Sequence, residues 1–77
     1  MIRFRLKELI ADKAFKENRR ITFEEVAEQS GIHRTTLSKI ANKVGYGTTT
    51  EVLDSLCTYF DCEIGDLAER VKEESIK

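Results

Sequence analysis

Hydrophobic residues recur every three to four positions over most of this chain, which is the spacing of amphipathic helices. The first such segment predicts a helix over residues 5–17, with Leu6 and Leu9 on its apolar side. Ile2 and Phe4 alternate instead. We therefore expect an extended arm before this helix, with a frayed helical start as the alternative.

The second helix has the clearest start signal in the sequence. Thr22 and Glu25 stand three residues apart, as in a capping box, where each side chain satisfies a backbone amide that the helix leaves without a partner. The apolar spacing then predicts a helix over residues 23–30. Gly31 is expected to end it, because glycine adopts the left-handed conformation without steric cost.

Three further helices follow the same rules. Thr48 and Glu51 repeat the capping-box pattern ahead of the fourth helix. The helices are predicted over residues 34–43 and 49–60, with a short fifth one whose apolar face is Ile64, Leu67, Ala68 and Val71. The expected fold class is therefore all-α, as one domain with its core at about residues 5–71 and a charged tail at 72–77.

Composition narrows the class of protein. With 77 residues, 40% of them hydrophobic and 35% charged, the chain suits one small soluble domain and is too short for a two-domain enzyme. It has no apolar run long enough for a membrane helix or a signal peptide, so we expect a cytoplasmic protein with no membrane partner. Cys57 and Cys62 are expected to be reduced, buried thiols. The alternatives are a half-exposed Cys62 and a redox switch formed by the two cysteines.

The net charge of −1 conceals two halves of opposite sign. Residues 1–47 carry ten Lys or Arg against six acids, a balance of +4, whereas residues 48–77 carry three against eight, a balance of −5. A polyanion should therefore meet the N-terminal half.

Residues 23–40, FEEVAEQSGIHRTTLSKI, predict a helix-turn-helix. The positions that make the pattern are Val26, Ala27, Gly31, Ile32, Leu37 and Ile40. Ala27 is small where two helices approach closely, Gly31 makes the turn four residues later, and Ile32 fills the corner. In this motif the second helix projects outward and its N-terminal residues face base edges in the major groove of DNA.

On these residues, the sequence resembles the phage repressor and Cro type of helix-turn-helix domain, the XRE family of bacterial regulators. The stretch TEVLDSLCTYFDCEIGDL is similar to the family's fourth and fifth helices, with Asp66 and Leu67 in its Asp-Leu pair. The resemblance covers nearly the whole chain and implies a compact five-helix, lambda-repressor-like domain. His33 departs from the pattern, because it stands where a Ser or Thr cap is common.

The exposed N-terminal face of the third helix is predicted to contact bases through Arg34, Thr35, Ser38 and Lys39. Arg34 can pair with guanine O6 and N7, and the hydroxyls suit base edges or a thymine methyl. The alternative is that these side chains form an ordinary solvated helix face.

Phosphate contacts are predicted at the edges of the motif, where helix N-termini offer free amides. The candidates are Thr22, Phe23, His33, Thr36, Asn42, Lys43, Tyr46, Thr48 and Thr49. His33 either caps a helix or touches phosphate, and Tyr46 either touches phosphate or packs on the third helix. Arg19 and Arg20 either add to these contacts or form a plain basic turn.

Three glutamates lie on the second helix, Glu24, Glu25 and Glu28, and each would repel DNA if it faced the duplex. We expect them to face away or to cap.

The expected function is therefore sequence-specific binding of a double-stranded DNA operator by a transcriptional regulator, a repressor. A homodimer is expected, because one recognition helix contacts only a few base pairs. The dimer either exists in solution or forms only when two copies bind DNA. No enzyme, metal, cofactor or small-molecule ligand is expected. The alternative is an antitoxin-like or adaptor module that keeps the fold but binds DNA little, which the net charge supports.

Overall fold

A computed structural model describes residues 1–72 of the chain, and within them it contains five helices. They are α1 (Leu6–Glu17), α2 (Phe23–Ser30), α3 (Arg34–Asn42), α4 (Thr50–Phe60) and α5 (Ile64–Leu67). The first four begin and end within one residue of their predicted bounds. Residues 73–77 of the predicted charged tail lie outside the described part. None of the described helices has the length and apolar character needed to span a membrane.

Two short strands, β1 (Ile2–Phe4) and β2 (Ala68–Arg70), pair as an antiparallel sheet. The facing residues are Ile2 and Arg70, Arg3 and Glu69, and Phe4 and Ala68. The prediction of a strictly all-α fold is therefore wrong. The extended arm is confirmed and its helical alternative is wrong, because the backbone of the arm finds its hydrogen-bond partners in β2 rather than in a helical turn.

The fifth helix is shorter than its apolar pattern predicts. It ends at Leu67, and Ala68 already belongs to β2, so neither Ala68 nor Val71 lies on a helical face. The N–H of Arg5 donates to the carbonyl of Leu67 at 2.7 Å, which ties the end of α5 to the start of α1. Pairing with β1 therefore takes the backbone groups that a longer helix would have used.

Half of the predicted capping box forms at α2. The hydroxyl of Thr22 accepts a hydrogen bond from the N–H of Glu25 at 3.2 Å. The carboxylate of Glu25 instead accepts two hydrogen bonds from Arg19, at 2.6 and 2.7 Å. A charged donor is a stronger partner for a carboxylate than a backbone amide, so the arginine replaces the reciprocal bond.

The capping box predicted from Thr48 is wrong by one residue. Helix α4 is capped by Thr49, whose hydroxyl accepts from the N–H of Val52 at 3.2 Å. Three consecutive threonines at 48–50 offer the same hydroxyl at each position. The spacing of the side chains alone could not decide between them.

The core takes at least one side chain from every helix. Its buried members are Leu6, Ile21, Val26, Ile32, Leu37, Ile40, Leu56 and Leu67. Cys57 packs against this cluster but is only half-buried, so the prediction of a buried thiol there is not met in full. The residues predicted to hold the helix-turn-helix together are confirmed: Val26, Leu37 and Ile40 are buried, and α2 and α3 contact each other.

The turn between α2 and α3 depends on Gly31. Its φ of 77° lies in the left-handed region, and its N–H donates to the carbonyl of Ala27 at 2.9 Å. A Cβ added at Gly31 would meet no atom within 4 Å. Glycine is therefore required here for its backbone conformation and not for lack of space.

We expect Gly31→Val to destabilise the domain by about 1–3 kcal/mol, because a β-branched residue is strained at positive φ. Urea unfolding followed by circular dichroism measures the loss. Gly65→Ala is the matched control, since a Cβ there also meets nothing within 4 Å and Gly65 carries no positive φ. An unchanged free energy of unfolding in Gly31→Val would contradict this account of the turn.

Candidate nucleic-acid interface

Helix α3 has one apolar side and one polar side. Leu37 and Ile40 are 0% and 2% exposed and fix the apolar side in the core. Thr35 and Lys39 are exposed, and Ser38 is half-buried at the edge of the polar side. With 3.6 residues per turn, these three lie on the side of the helix away from Leu37 and Ile40. The structure therefore brings three of the four predicted base-contacting residues together on one outward face.

Arg34 begins α3 and flanks this polar face. Its side chain is 68% exposed, and one of its terminal nitrogens lies 3.6 Å from a carboxylate oxygen of Glu24, which is 74% exposed. Two charges that meet at this separation in water attract each other weakly. Arg34 is therefore free to exchange this carboxylate for another acceptor.

Glu24 faces the start of α3, where its carboxylate meets Arg34. The expectation that it faces away from a bound duplex stays a prediction. Glu24 and Arg34 are ten residues apart, and only the turn at Gly31 brings them together, so no local spacing rule identifies the pair. A carboxylate beside the leading arginine weakens the local positive field.

An open groove of about 400 Å³ marks the junction of α2 and α3. Its lining includes the apolar side chains Ala27 and Ile32 together with Glu24, Glu28 and Arg34. Acidic groups thus lie on the α2 side of the groove and the guanidinium on the α3 side. Any polyanion that approaches this junction is attracted by α3 and repelled by α2.

His33 occupies the N-cap position of α3 but does not cap it. Its side chain is exposed and makes no hydrogen bond to the first turn. The expectation that it caps a helix is therefore wrong, and contact with phosphate stays a prediction. The first amides of α3 therefore receive no hydrogen bond from the His33 side chain.

Asn42 lies one turn beyond Ser38 on the same face. Its side-chain amide donates to the carbonyl of Ser38 at 2.9 Å and approaches the Ser38 hydroxyl at 3.4 Å. These bonds hold the Asn42 side chain along the helix. A residue predicted from the sequence to touch phosphate is thereby placed beside the predicted base-contacting residues.

The remaining predicted phosphate contacts surround α3 at several places. Thr22 and Thr49 cap α2 and α4, and each uses its hydroxyl oxygen as an acceptor, which leaves its O–H able to donate. Lys43 is exposed, and Thr36 and Thr48 are half-buried. Phe23 and Tyr46 pack against the core, which favours the interpretation of Tyr46 as a packing residue.

The chain also matches a protein-family model. The model of the Cro/C1-type HTH DNA-binding domain matches residues 5–73, which is most of the chain. The chain belongs to the Cro/C1-type HTH DNA-binding domain family. DNA binding in transcription regulation is accordingly its functional class. Neither a curated protein nor a solved structure matches the chain.

In this Cro/C1-type domain, Arg19 holds the loop before α2 in place. It donates to Glu17 at 2.8 Å and to both carboxylate oxygens of Glu25, and Lys13 pairs with Glu17 at 2.8 Å. Two acids thus compensate the charge of Arg19, which favours a structural role over phosphate contact. The hydrogen bond from Arg19 lowers the pKa of Glu25, and bonds from Lys13 and then Arg19 lower that of Glu17.

These lowered pKa values predict a pH dependence of stability. A carboxyl whose folded pKa lies below its ordinary value of 4.5 contributes stability above that value and loses it as the pH falls through the folded pKa. We expect Arg19→Gln to remove much of this dependence. Its melting temperature should fall less than that of the wild type between about pH 6 and pH 3 at low salt.

Calorimetric melting curves over this range test the prediction, with Arg20→Gln as the matched control in the same exposed loop. A difference between wild type and Arg19→Gln that stays constant with pH would show that the ion pairs do not contribute to stability.

Proposed function

We propose that this Cro/C1-type domain binds double-stranded DNA in a sequence-specific way, with α3 in the major groove, and acts as a transcriptional repressor. The observation that carries the proposal is the orientation of α3. Leu37 and Ile40 anchor it in the core while Thr35 and Lys39 stay exposed. A helix held in this way can enter a groove without unfolding any part of the domain.

The base contacts are assigned to Arg34, Thr35, Ser38 and Lys39. Arg34 donates two parallel hydrogen bonds to O6 and N7 of a guanine, and Lys39 reaches a guanine or a phosphate. Thr35 and Ser38 contact base edges or a thymine methyl. The side chain of Asn42 is held against Ser38, so it contacts the duplex at the far end of the same face.

Phosphate contacts fix the position of α3 along the duplex without reading sequence. We assign them to the N-termini of α2, α3 and α4, where free amides meet the positive end of the helix dipole. The O–H groups of Thr22 and Thr49 donate to phosphate while their oxygens continue to cap. Further contacts come from Phe23 through its backbone, and from His33, Thr36, Lys43, Tyr46 and Thr48.

Two copies of the chain occupy one operator in this proposal. A single α3 reads only a few base pairs, which is too little for specificity within a genome. A homodimer on half-sites about one helical turn apart contacts twice as many base pairs. It also combines the phosphate contacts of both copies. Each chain acts as one non-catalytic domain in the cytoplasm.

The salt dependence of binding tests this proposal against the adaptor interpretation. Released counterions should lower affinity for a random duplex by tenfold or more between roughly 50 and 200 mM salt. Fluorescence anisotropy of a labelled duplex measures the slope. An affinity that does not change with salt would exclude contacts with phosphates. It would favour the adaptor interpretation, which agrees with the negative net charge of the chain.

We expect Arg34→Ala to weaken binding to the preferred operator by about 1–3 kcal/mol and to relax one base position. The fold should be intact, because the Arg34 side chain is 68% exposed. Arg70→Ala is the control, since it removes an exposed arginine from β2 rather than from the helix-turn-helix. An equal loss on every duplex sequence would make Arg34 a phosphate contact and not a base contact.

We expect Glu24→Gln to strengthen DNA binding by about two- to fivefold at low salt, because it removes a negative charge next to Arg34 and the duplex. Asp54→Asn removes an exposed acid from α4 and serves as the control for net charge. Equal gains in both variants would show that only the total charge matters, and that the Glu24–Arg34 contact has no specific effect.

A further inference from the structure

The C-terminus of α4 brings the two cysteines together through its backbone. Asp61 adopts the left-handed conformation with φ of 53°, and its N–H donates to the carbonyl of Thr58 at 3.3 Å. The N–H of Cys62 donates to the carbonyl of Cys57 at 3.0 Å. These are the two hydrogen bonds of a Schellman motif, in which the side chains at the positions of Cys57 and Cys62 characteristically contact each other.

The backbone geometry brings the two cysteines close enough for a disulfide. The hydrogen bond between Cys62 and Cys57, together with the covalent bonds on either side of it, limits the separation of their Cα atoms to about 7 Å. Disulfides join Cα atoms up to about that distance.

Both cysteines lie at an open groove. Each is half-buried, and both line a groove of about 440 Å³ between α4 and the start of α5. A buried thiol in a packed core is inert, whereas a thiol on the wall of an open groove can be reached by a small disulfide.

We propose that Cys57 and Cys62 are a redox modification site that takes a small disulfide oxidant, such as oxidised glutathione, and forms a reversible intramolecular disulfide. The thiolate of Cys57 attacks one sulfur of the oxidant, forms a mixed disulfide and releases one glutathione thiolate. Cys62 then gives up its proton to the released glutathione thiolate or to solvent, and its sulfur attacks the Cys57 sulfur and displaces the second glutathione. The protein loses two electrons and two protons, and one oxidised glutathione becomes two reduced molecules.

The order of attack follows from the environment of Cys62. Burial, and then the neighbouring Cys57, raise the pKa of Cys62 to about 11. Cys62 is therefore a thiol at neutral pH and a poor first nucleophile. It becomes the resolving residue once Cys57 carries the mixed disulfide, because the backbone hydrogen bond keeps it beside that sulfur.

The disulfide would join the end of α4 to the start of α5 without involving α3. It should raise the melting temperature, because it restricts the unfolded chain. It should leave DNA affinity unchanged, since the base-contacting face lies on another helix. The inference is independent of the proposed DNA-binding function.

Intact-mass spectrometry of the whole protein after incubation with oxidised glutathione tests the proposal. The expected product is a monomer lighter by two hydrogens, with a melting temperature higher by several degrees and full reversal by dithiothreitol. Cys57→Ser and Cys62→Ser should each abolish that product, and Cys62→Ser should instead accumulate the mixed disulfide on Cys57.

Three results would overturn the proposal. They are a wild-type protein that keeps two free thiols, one that stops at the mixed disulfide, and one that forms only intermolecular dimers. The wild-type measurement decides the question even if a serine variant folds poorly, because it needs no substitution.

Discussion

The burial of one side of α3 is the constraint on which this domain depends. Leu37 and Ile40 enter a core to which every helix contributes, and each such side chain is worth about 1.5–3 kcal/mol when fully buried. The left-handed turn at Gly31 sets the angle at which α3 meets α2. Together these two features determine which side of α3 faces outward, so the same contacts that stabilise the fold position the candidate interface.

Electrostatics around this interface is local and mixed. The total charge of −1 would argue against a nucleic-acid partner, yet the half of the chain that contains α3 carries a balance of +4. Within that half, Arg19 is held by Glu17 and Glu25, whereas the contact of Arg34 with Glu24 is loose. The distribution of paired and loosely paired cations, more than their number, decides where a polyanion can bind.

Most of the helices could be predicted from the sequence because their signals are local. The 3.6-residue period, the Thr22 cap and the glycine at position 31 act over a single turn or two. The structure departs from the prediction where a remote partner intervenes. The β1 strand pairs with β2 at the other end of the described chain, and this pairing also shortens α5. The pattern along one segment carries no information about such a partner.

The same distinction applies to the candidate site. The outward face of α3 follows from the alternation of apolar and polar residues along one helix, and so it was predictable. Two ion pairs depend instead on how neighbouring segments pack against each other. They are Glu24 with Arg34 and Glu25 with Arg19. A long charged side chain can also reach several possible ion-pair partners. The sequence does not indicate which partner it contacts.

Selection of binding sites from randomised duplexes tests the central claim most directly, when it is run with the wild type and with a variant carrying alanine at Arg34, Thr35, Ser38 and Lys39. The account predicts that the wild type enriches a defined half-site and that the folded variant enriches none. Enrichment of the same half-site by both proteins would contradict it, because another surface would then be reading the bases.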